Sequence, residues 1–109
     1  IAQGFIMSEP LGYLDFLKLN KDARIVLTDS GGIQEETTVL GVPCITLRHN
    51  TERPITVTAG TNQLVGSDKQ HILAAAARVL NGQAEKKQVP PLWDGKAAGR
   101  IVDILERLT

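Results

Sequence analysis

The sequence predicts an α/β fold, a parallel sheet flanked by helices, and three observations carry that expectation. Short apolar or β-branched runs, "ARIVLTD", "CITL" and "QLV", recur along the chain. Segments with helical spacing separate them, and turn residues punctuate the junctions. The chain has 109 residues, enough for one domain with a real core and hardly for two. Strands alternating with helices pack as parallel β-α units with helices on both faces. Periodicity counts about four strands and four helices.

Taken in order, "IAQGFIM" (Ile1–Met7) is an apolar, β-tolerant segment, and "SEPLG" is a turn. "YLDFLKLN" sets Tyr13, Leu14, Phe16, Leu17 and Leu19 at spacings that suit a short helix ending near Asn20. "ARIVLTD" is the next strand and stops at Asp29-Ser30. "IQEETTVLG" follows as a helix, with Gly41 its expected stop and Pro43 just beyond. Thr37, Thr38 and Val39 are weak helix formers, so this helix must rely on tertiary packing.

"CITL" is a buried strand, "RHNTERPITVTAGT" a polar connection, and "QLV" a short strand ending at Gly66. Ser67 or Asp68 can cap the helix "KQHILAAAARVLNG", whose apolar face is Ile72, Leu73, Ala76, Val79 and Leu80. A proline-bearing connection, "QAEKKQVPPLWDG", leads to a last amphipathic helix, "KAAGRIVDILERL". Its Ala97, Ala98, Ile101, Val102, Leu105 and Leu108 are expected to face inward.

Twelve basic and twelve acidic residues cancel, so no broad field points to nucleic acid or an anionic membrane. No apolar stretch approaches the roughly 20 residues that span a bilayer. The single cysteine, Cys44, cannot form an internal disulfide, and a reduced, cytoplasmic setting is the default. The opening has no basic segment or cleavage site of a signal peptide, and no initiator Met. The expectation is a piece of a longer protein.

In such sheets ligands sit beyond the carboxyl ends of the strands. That rule places Asp29-Ser30-Gly31-Gly32 and the Arg48–Pro54 loop on one edge. A helix start exposes about four unpaired N–H groups and carries roughly half a positive charge. Glycines there remove the side chains that would hold an anion off, so Ser30-Gly31-Gly32 suits a phosphate or diphosphate. Glycines also serve tight turns, and Ser30 can either cap the helix or bond a ligand oxygen.

A carboxylate beside a phosphate must serve another part of the ligand. Glu36 lies about one turn beyond Gly32, about 5–6 Å along the axis, and can accept two hydroxyl hydrogen bonds, as a ribose diol would offer. Glu35 is as near in angle on the other side. Both acids also simply favour the positive end of a helix. Arg48 or Arg53 could clamp a diphosphate, or form surface pairs with Glu52. Two histidines and one cysteine make a zinc-type metal site improbable.

"TDSGGIQEE", followed by "LGVPCITLRHNTERP" and "AGTNQLVG", closely resembles the C-terminal domain of the non-hydrolysing UDP-N-acetylglucosamine 2-epimerases. "EPLGYLDFL" is similar to the segment that precedes this motif in the family, and the likeness runs from about Glu9 to Gly66. It implies a Rossmann-like domain over residues 1–109, one half of a two-domain, glycosyltransferase-like architecture with substrate in the cleft between the halves.

The resemblance further implies that Ser30, Gly31 and Gly32 hold the diphosphate of UDP or a UDP-sugar, and Glu36 the ribose hydroxyls. Arg53 would lie near the phosphates, and the backbone around Leu11 and Phe16 would contact the uracil. No cofactor and no metal are implied. The family inverts C2 of the sugar, giving UDP-N-acetylmannosamine, by eliminating UDP to a glycal-like intermediate and adding it back. Its acid/base carboxylates and histidine come from the other domain or the connection, the missing N-terminal part of the same chain, and His49 and His71 do not fall at that histidine. Ile55 stands where many members carry an acid. The parent would be a cytoplasmic isomerase of cell-envelope polysaccharide biosynthesis, often a homodimer, and the isolated piece inactive. The alternatives are the nucleotide-sugar-binding domain of a two-domain glycosyltransferase, or a free-standing binding domain.

Overall fold

A computed structural model describes residues 4–82 and 90–108. Three short strands form a parallel sheet in the order β1 (Val26–Thr28), β2 (Cys44–Thr46), β3 (Asn62–Leu64). Val26, Cys44 and Asn62 lie level across the sheet, as do Thr28, Thr46 and Leu64. The helices are α1 (Tyr13–Asp22), α2 (Gly31–Leu40), α3 (Pro54–Thr58), α4 (Lys69–Leu80) and α5 (Ala97–Leu108).

Strand alternation gives the sheet two unlike faces. Ile45 and Leu47 point one way and meet Ala75, Ala76 and Val79 of α4, with Ile25 and Val65 beside them. This is the apolar core. Cys44, Thr46 and Asn62 point the other way, under α2 and α3, where the buried partners are Gln34, Thr37, Thr38 and Thr56. That side is closed by hydrogen bonds more than by hydrocarbon.

The inward face of α2 is therefore made of Gln34, Thr37 and Thr38, all buried, which accounts for a helix of weak formers: its contacts hold it, not its propensity. Thr37 turns its hydroxyl back onto the Ile33 carbonyl at 2.9 Å. Gly41 ends the helix in the left-handed region at φ 72°, and the Val42 amide closes on Thr37 O at 2.9 Å. Of the two candidate caps for α4, Asp68 is the one used, accepting from the His71 amide at 3.1 Å. Arg24 donates to the Leu80 carbonyl at the far end of α4 at 3.0 Å, the place where a cation suits the helix.

Three expectations need correction. Residues 4–7 are not a strand, and Phe5, Ile6 and Met7 stand exposed; an apolar run pairs only if a neighbouring strand edge is offered. The connection after Arg48 contains a helical turn, α3, opened by Pro54 at its first position. The apolar stripe of α5 does not face inward: Ile101, Val102, Leu105 and Leu108 are 52–77% exposed. Periodicity identifies which face is apolar and says nothing of what lies against it. The Cα radius of gyration, 16.5 Å, exceeds the roughly 13 Å of a compact domain of this length, as a helix standing off the core requires. The expected loop over Gln83–Val89 and the start of the first segment, Ile1–Gln3, lie outside the described residues.

Candidate functional site

The carboxyl ends of β1 and β2 are tied together by the Leu47 amide, which donates to Thr28 O at 2.8 Å. Beyond Thr28 the chain turns sharply. The Ser30 amide donates back to Thr28 Oγ1 at 3.0 Å, and helix α2 begins at Gly31. Ser30 is the N-cap residue, yet its side chain makes no capping hydrogen bond. Its hydroxyl is thus left for another acceptor or donor. The amides of Gly31, Gly32 and Ile33 belong to the first turn and have no intrahelical acceptor.

Around these amides the space is open. A Cβ placed on Gly32 would meet only Ser30 Oγ, at 4.0 Å. One placed on Gly31 would meet Arg53, with Cζ at 3.9 Å and Cγ at 4.0 Å. Arg53 therefore stands over the bare helix start, brought there from a loop that is remote in sequence. Its Nε donates to Glu35 Oε1, and its Nη1 reaches the Glu52 carbonyl at 3.3 Å. The Glu35 hydrogen bond, then the Glu35 charge, raise the Arg53 pKa further above its ordinary high value. Arg53 is a permanent cation. Arg48, the other candidate clamp, donates instead to Asn50 Oδ1 at 3.3 Å.

Glu35 is consumed by Arg53, whereas Glu36, half-buried one residue later, makes no ion pair among the described residues. Leu11 and Phe16 lie at the entry and first turn of α1, the helix that leans on α2. The sequence-derived residues Ser30, Gly31, Gly32 and Arg53 are thus gathered at one point, with Glu36 one turn along and α1 beside them. His49 is elsewhere: its ring covers Gly66, where an added Cβ would lie 2.3 Å from Cε1. Among the described residues no group of three or more His, Cys, Asp and Glu could hold a metal ion.

Residues that sequence reading passed over are Gln34, Thr51, Thr56 and Asn62, which fill the space beneath the loop and bond one another. Their signal was faint but present. Asn62 stands just before the short run "QLV", and Gln34 shares the inward face of α2 with Thr37 and Thr38, and a polar side chain at either place calls for a partner.

The family described as UDP-N-acetylglucosamine 2-epimerase matches residues 1–106. The chain belongs to the UDP-N-acetylglucosamine 2-epimerase family. Within that family, the enzyme of Methanocaldococcus jannaschii is 54% identical over 97 residues, covering 89% of this chain and 26% of the relative. Its crystal structure in complex with UDP-GlcNAc and UDP superposes with a TM-score of 0.77 at 51% identity, over 92% of this chain and 27% of that one. The Neisseria meningitidis 2-epimerase bound to UDP-GlcNAc gives a TM-score of 0.76 at 40% identity, over 92% and 28%. The chain thus spans about a quarter of the length of these epimerases. Among the described residues, no helix is long and apolar enough to cross a membrane.

Proposed function

We propose that residues 1–109 form the UDP-binding domain of a UDP-N-acetylglucosamine 2-epimerase, an enzyme that interconverts UDP-N-acetylglucosamine and UDP-N-acetylmannosamine. The observation that carries this reading is the open start of α2, with the Ser30 hydroxyl uncapped and the Arg53 guanidinium over Gly31. The two relatives whose structures hold UDP-GlcNAc support the choice of ligand.

In this reading the diphosphate lies on the amides of Gly31 and Gly32, with the Ser30 hydroxyl and Arg53 completing its shell. Glu36 accepts from the ribose hydroxyls, and the backbone near Leu11 and Phe16 meets the uracil. The reaction breaks the C1–O bond and removes the C2 proton, so negative charge grows on the departing β-phosphate. A helix start and a fixed arginine are placed to stabilise that charge without rearranging. They also keep UDP in place while it is detached from the glycal-like intermediate, before the C1–O bond re-forms and a proton returns to the opposite face of C2. The acid and base that move this proton belong to the other domain of the parent. A cytoplasmic setting agrees with the buried free thiol of Cys44.

Titration with UDP, followed by amide chemical shifts, tests the reading. Shifts are expected at Ser30–Ile33, with a dissociation constant of about 0.1–1 mM for this domain, a few charge-assisted bonds set against the cost of association. Glu36→Ala should weaken binding of uridine as well as UDP. Equal binding by wild type and Glu36→Ala would remove Glu36 from the ribose.

A further inference from the structure

The hydrogen bonds beneath the loop close into a circuit that begins and ends on the backbone of one residue. The Arg53 amide donates to Thr51 Oγ1 at 2.9 Å, and the Thr51 hydroxyl donates to Gln34 Oε1 at 2.6 Å. The same Gln34 oxygen accepts from Asn62 Nδ2 at 3.1 Å. Asn62 Nδ2 also donates to Thr56 Oγ1 at 3.1 Å, and the Thr56 hydroxyl donates to the Arg53 carbonyl at 2.7 Å. Asn62 is anchored in turn by its Oδ1, which accepts from the Thr46 hydroxyl of β2.

The direction of every bond in the circuit follows from one end. A backbone carbonyl can only accept, so Thr56 must give its proton to Arg53 O and accept from Asn62. That fixes which end of the Asn62 amide faces Thr56, leaving its oxygen for Thr46. Asn62 is wholly buried and Gln34 is 1% exposed. In such surroundings a polar bond is strong when made and costly when broken. By contrast the preceding loop residues Arg48, His49 and Asn50 are exposed. The loop is tied to β3's end at Arg48, whose carbonyl accepts from the Gly66 amide at 3.0 Å, and is bonded into the buried interior at Thr51–Arg53.

Two separate devices therefore act on Arg53. Glu35 holds the guanidinium, and the buried circuit holds the backbone from which it extends. We infer that Gln34, Asn62 and Thr51 are positioning residues, whose task is to keep Arg53 over the Gly31 amide where the diphosphate sits. The inference rests on the UDP reading above. It adds a structural reason for the polar side of the sheet: β2 and β3 set an arginine through α2 and the loop, without touching the ligand.

The test uses three variants of the chain: Thr51→Val, which keeps the shape and cuts the circuit at the Arg53 amide; Thr51→Ser, which restores the hydroxyl; and Gln34→Met. UDP and uridine are titrated by amide shifts, and the Arg53 Nε–H resonance is followed without ligand. Thr51→Val and Gln34→Met should each weaken UDP about tenfold and leave uridine within about twofold. Their Arg53 Nε–H signal should broaden into solvent exchange, and Thr51→Ser should recover both properties. If Gln34→Met does not fold, Thr51→Val alone decides, because Thr51 is only half-buried. Equal losses for UDP and uridine, or unchanged UDP binding in folded Thr51→Val, would overturn the inference while leaving UDP binding itself intact. A wild-type chain that shows no UDP shifts at Ser30–Ile33 would overturn both.

Discussion

Arg53 and Glu35 are joined across the open start of α2, with the guanidinium within van der Waals reach of the position a Gly31 side chain would take. The pair is about two-fifths exposed on both sides, so solvent screens most of what it could add to folding. In the UDP reading proposed above, its weight falls on the diphosphate, beside which a carboxylate is tolerable only because the arginine neutralises it. Arg53→Ala should therefore weaken UDP by about 10–100-fold while barely moving the melting temperature, since a charged hydrogen bond is lost. Adding Glu35→Ala should recover part of that loss by removing the orphaned charge. Titrations of the single and double variants check this, and a double variant no better than the single one would refute it.

Gly32 separates the demands of folding from those of binding. Its Cβ would enter open space, so Gly32→Ala should stabilise α2 by about 0.5–1 kcal/mol. The same methyl would stand before the unpaired amides and lower UDP affinity at least about tenfold, equivalent to about 1.4 kcal/mol. Urea melts and UDP titrations should move in opposite directions. Parallel losses would make Gly32 a folding residue only.

Gly60 is the contrary case. A Cβ there would lie 2.6 Å from the Thr56 carbonyl and 2.7 Å from Thr38 Cγ2, in a buried position. Gly60→Ala should destabilise by about 1–3 kcal/mol through overpacking. Thr38→Ser in the same chain removes the methyl clash but leaves Thr38 Oγ1, also at 2.7 Å, and the backbone carbonyl, so only part of the urea midpoint should return.

The turn before α5 has a pH-sensitive clasp. Asp94 accepts from Arg100, and mainly this bond, helped by the Lys96 amide at 3.0 Å, holds its carboxyl below the ordinary 3.8. A carboxyl lowered by folding contributes above its unfolded pKa and stops contributing as pH falls through its folded one. The clasp is therefore complete at neutral pH and opens only under acid. Carboxyl carbon shifts should give a midpoint below 3.8, and Arg100→Ala should move it upward.

Much of this architecture can be read from local pattern. The end of α2 at Gly41, the narrowing of the α4 cap to Ser67 or Asp68 and the places of β1, β2 and β3 along the chain follow from short-range signals of turn chemistry and periodicity. The gathering of Ser30, Gly31 and Gly32 at the sheet edge follows equally from the β-α rule. What stayed hidden depends on partners far along the chain. Glu35 looked like a charge favouring a helix start, and its bond to Arg53 crosses 18 positions. Gln34 meets Asn62 across 28. The stripe of α5 was visible as a stripe, but a periodic pattern carries no address for its counterpart.

The sheet with one apolar face and one hydrogen-bonded face has a consequence for how this sequence can drift. Under α4, contacts of Ile45 with Ala75 and Val79 are non-directional, and residues of similar volume can replace one another there at small cost. Under α2 and α3, Thr51, Gln34, Asn62 and Thr56 are linked one to the next by directional hydrogen bonds, and no apolar side chain can stand in for one member without stranding its neighbours. Random substitution should thus leave the α4 side a varied set of hydrocarbons, while the α2 side admits almost no change that is not made in several places at once.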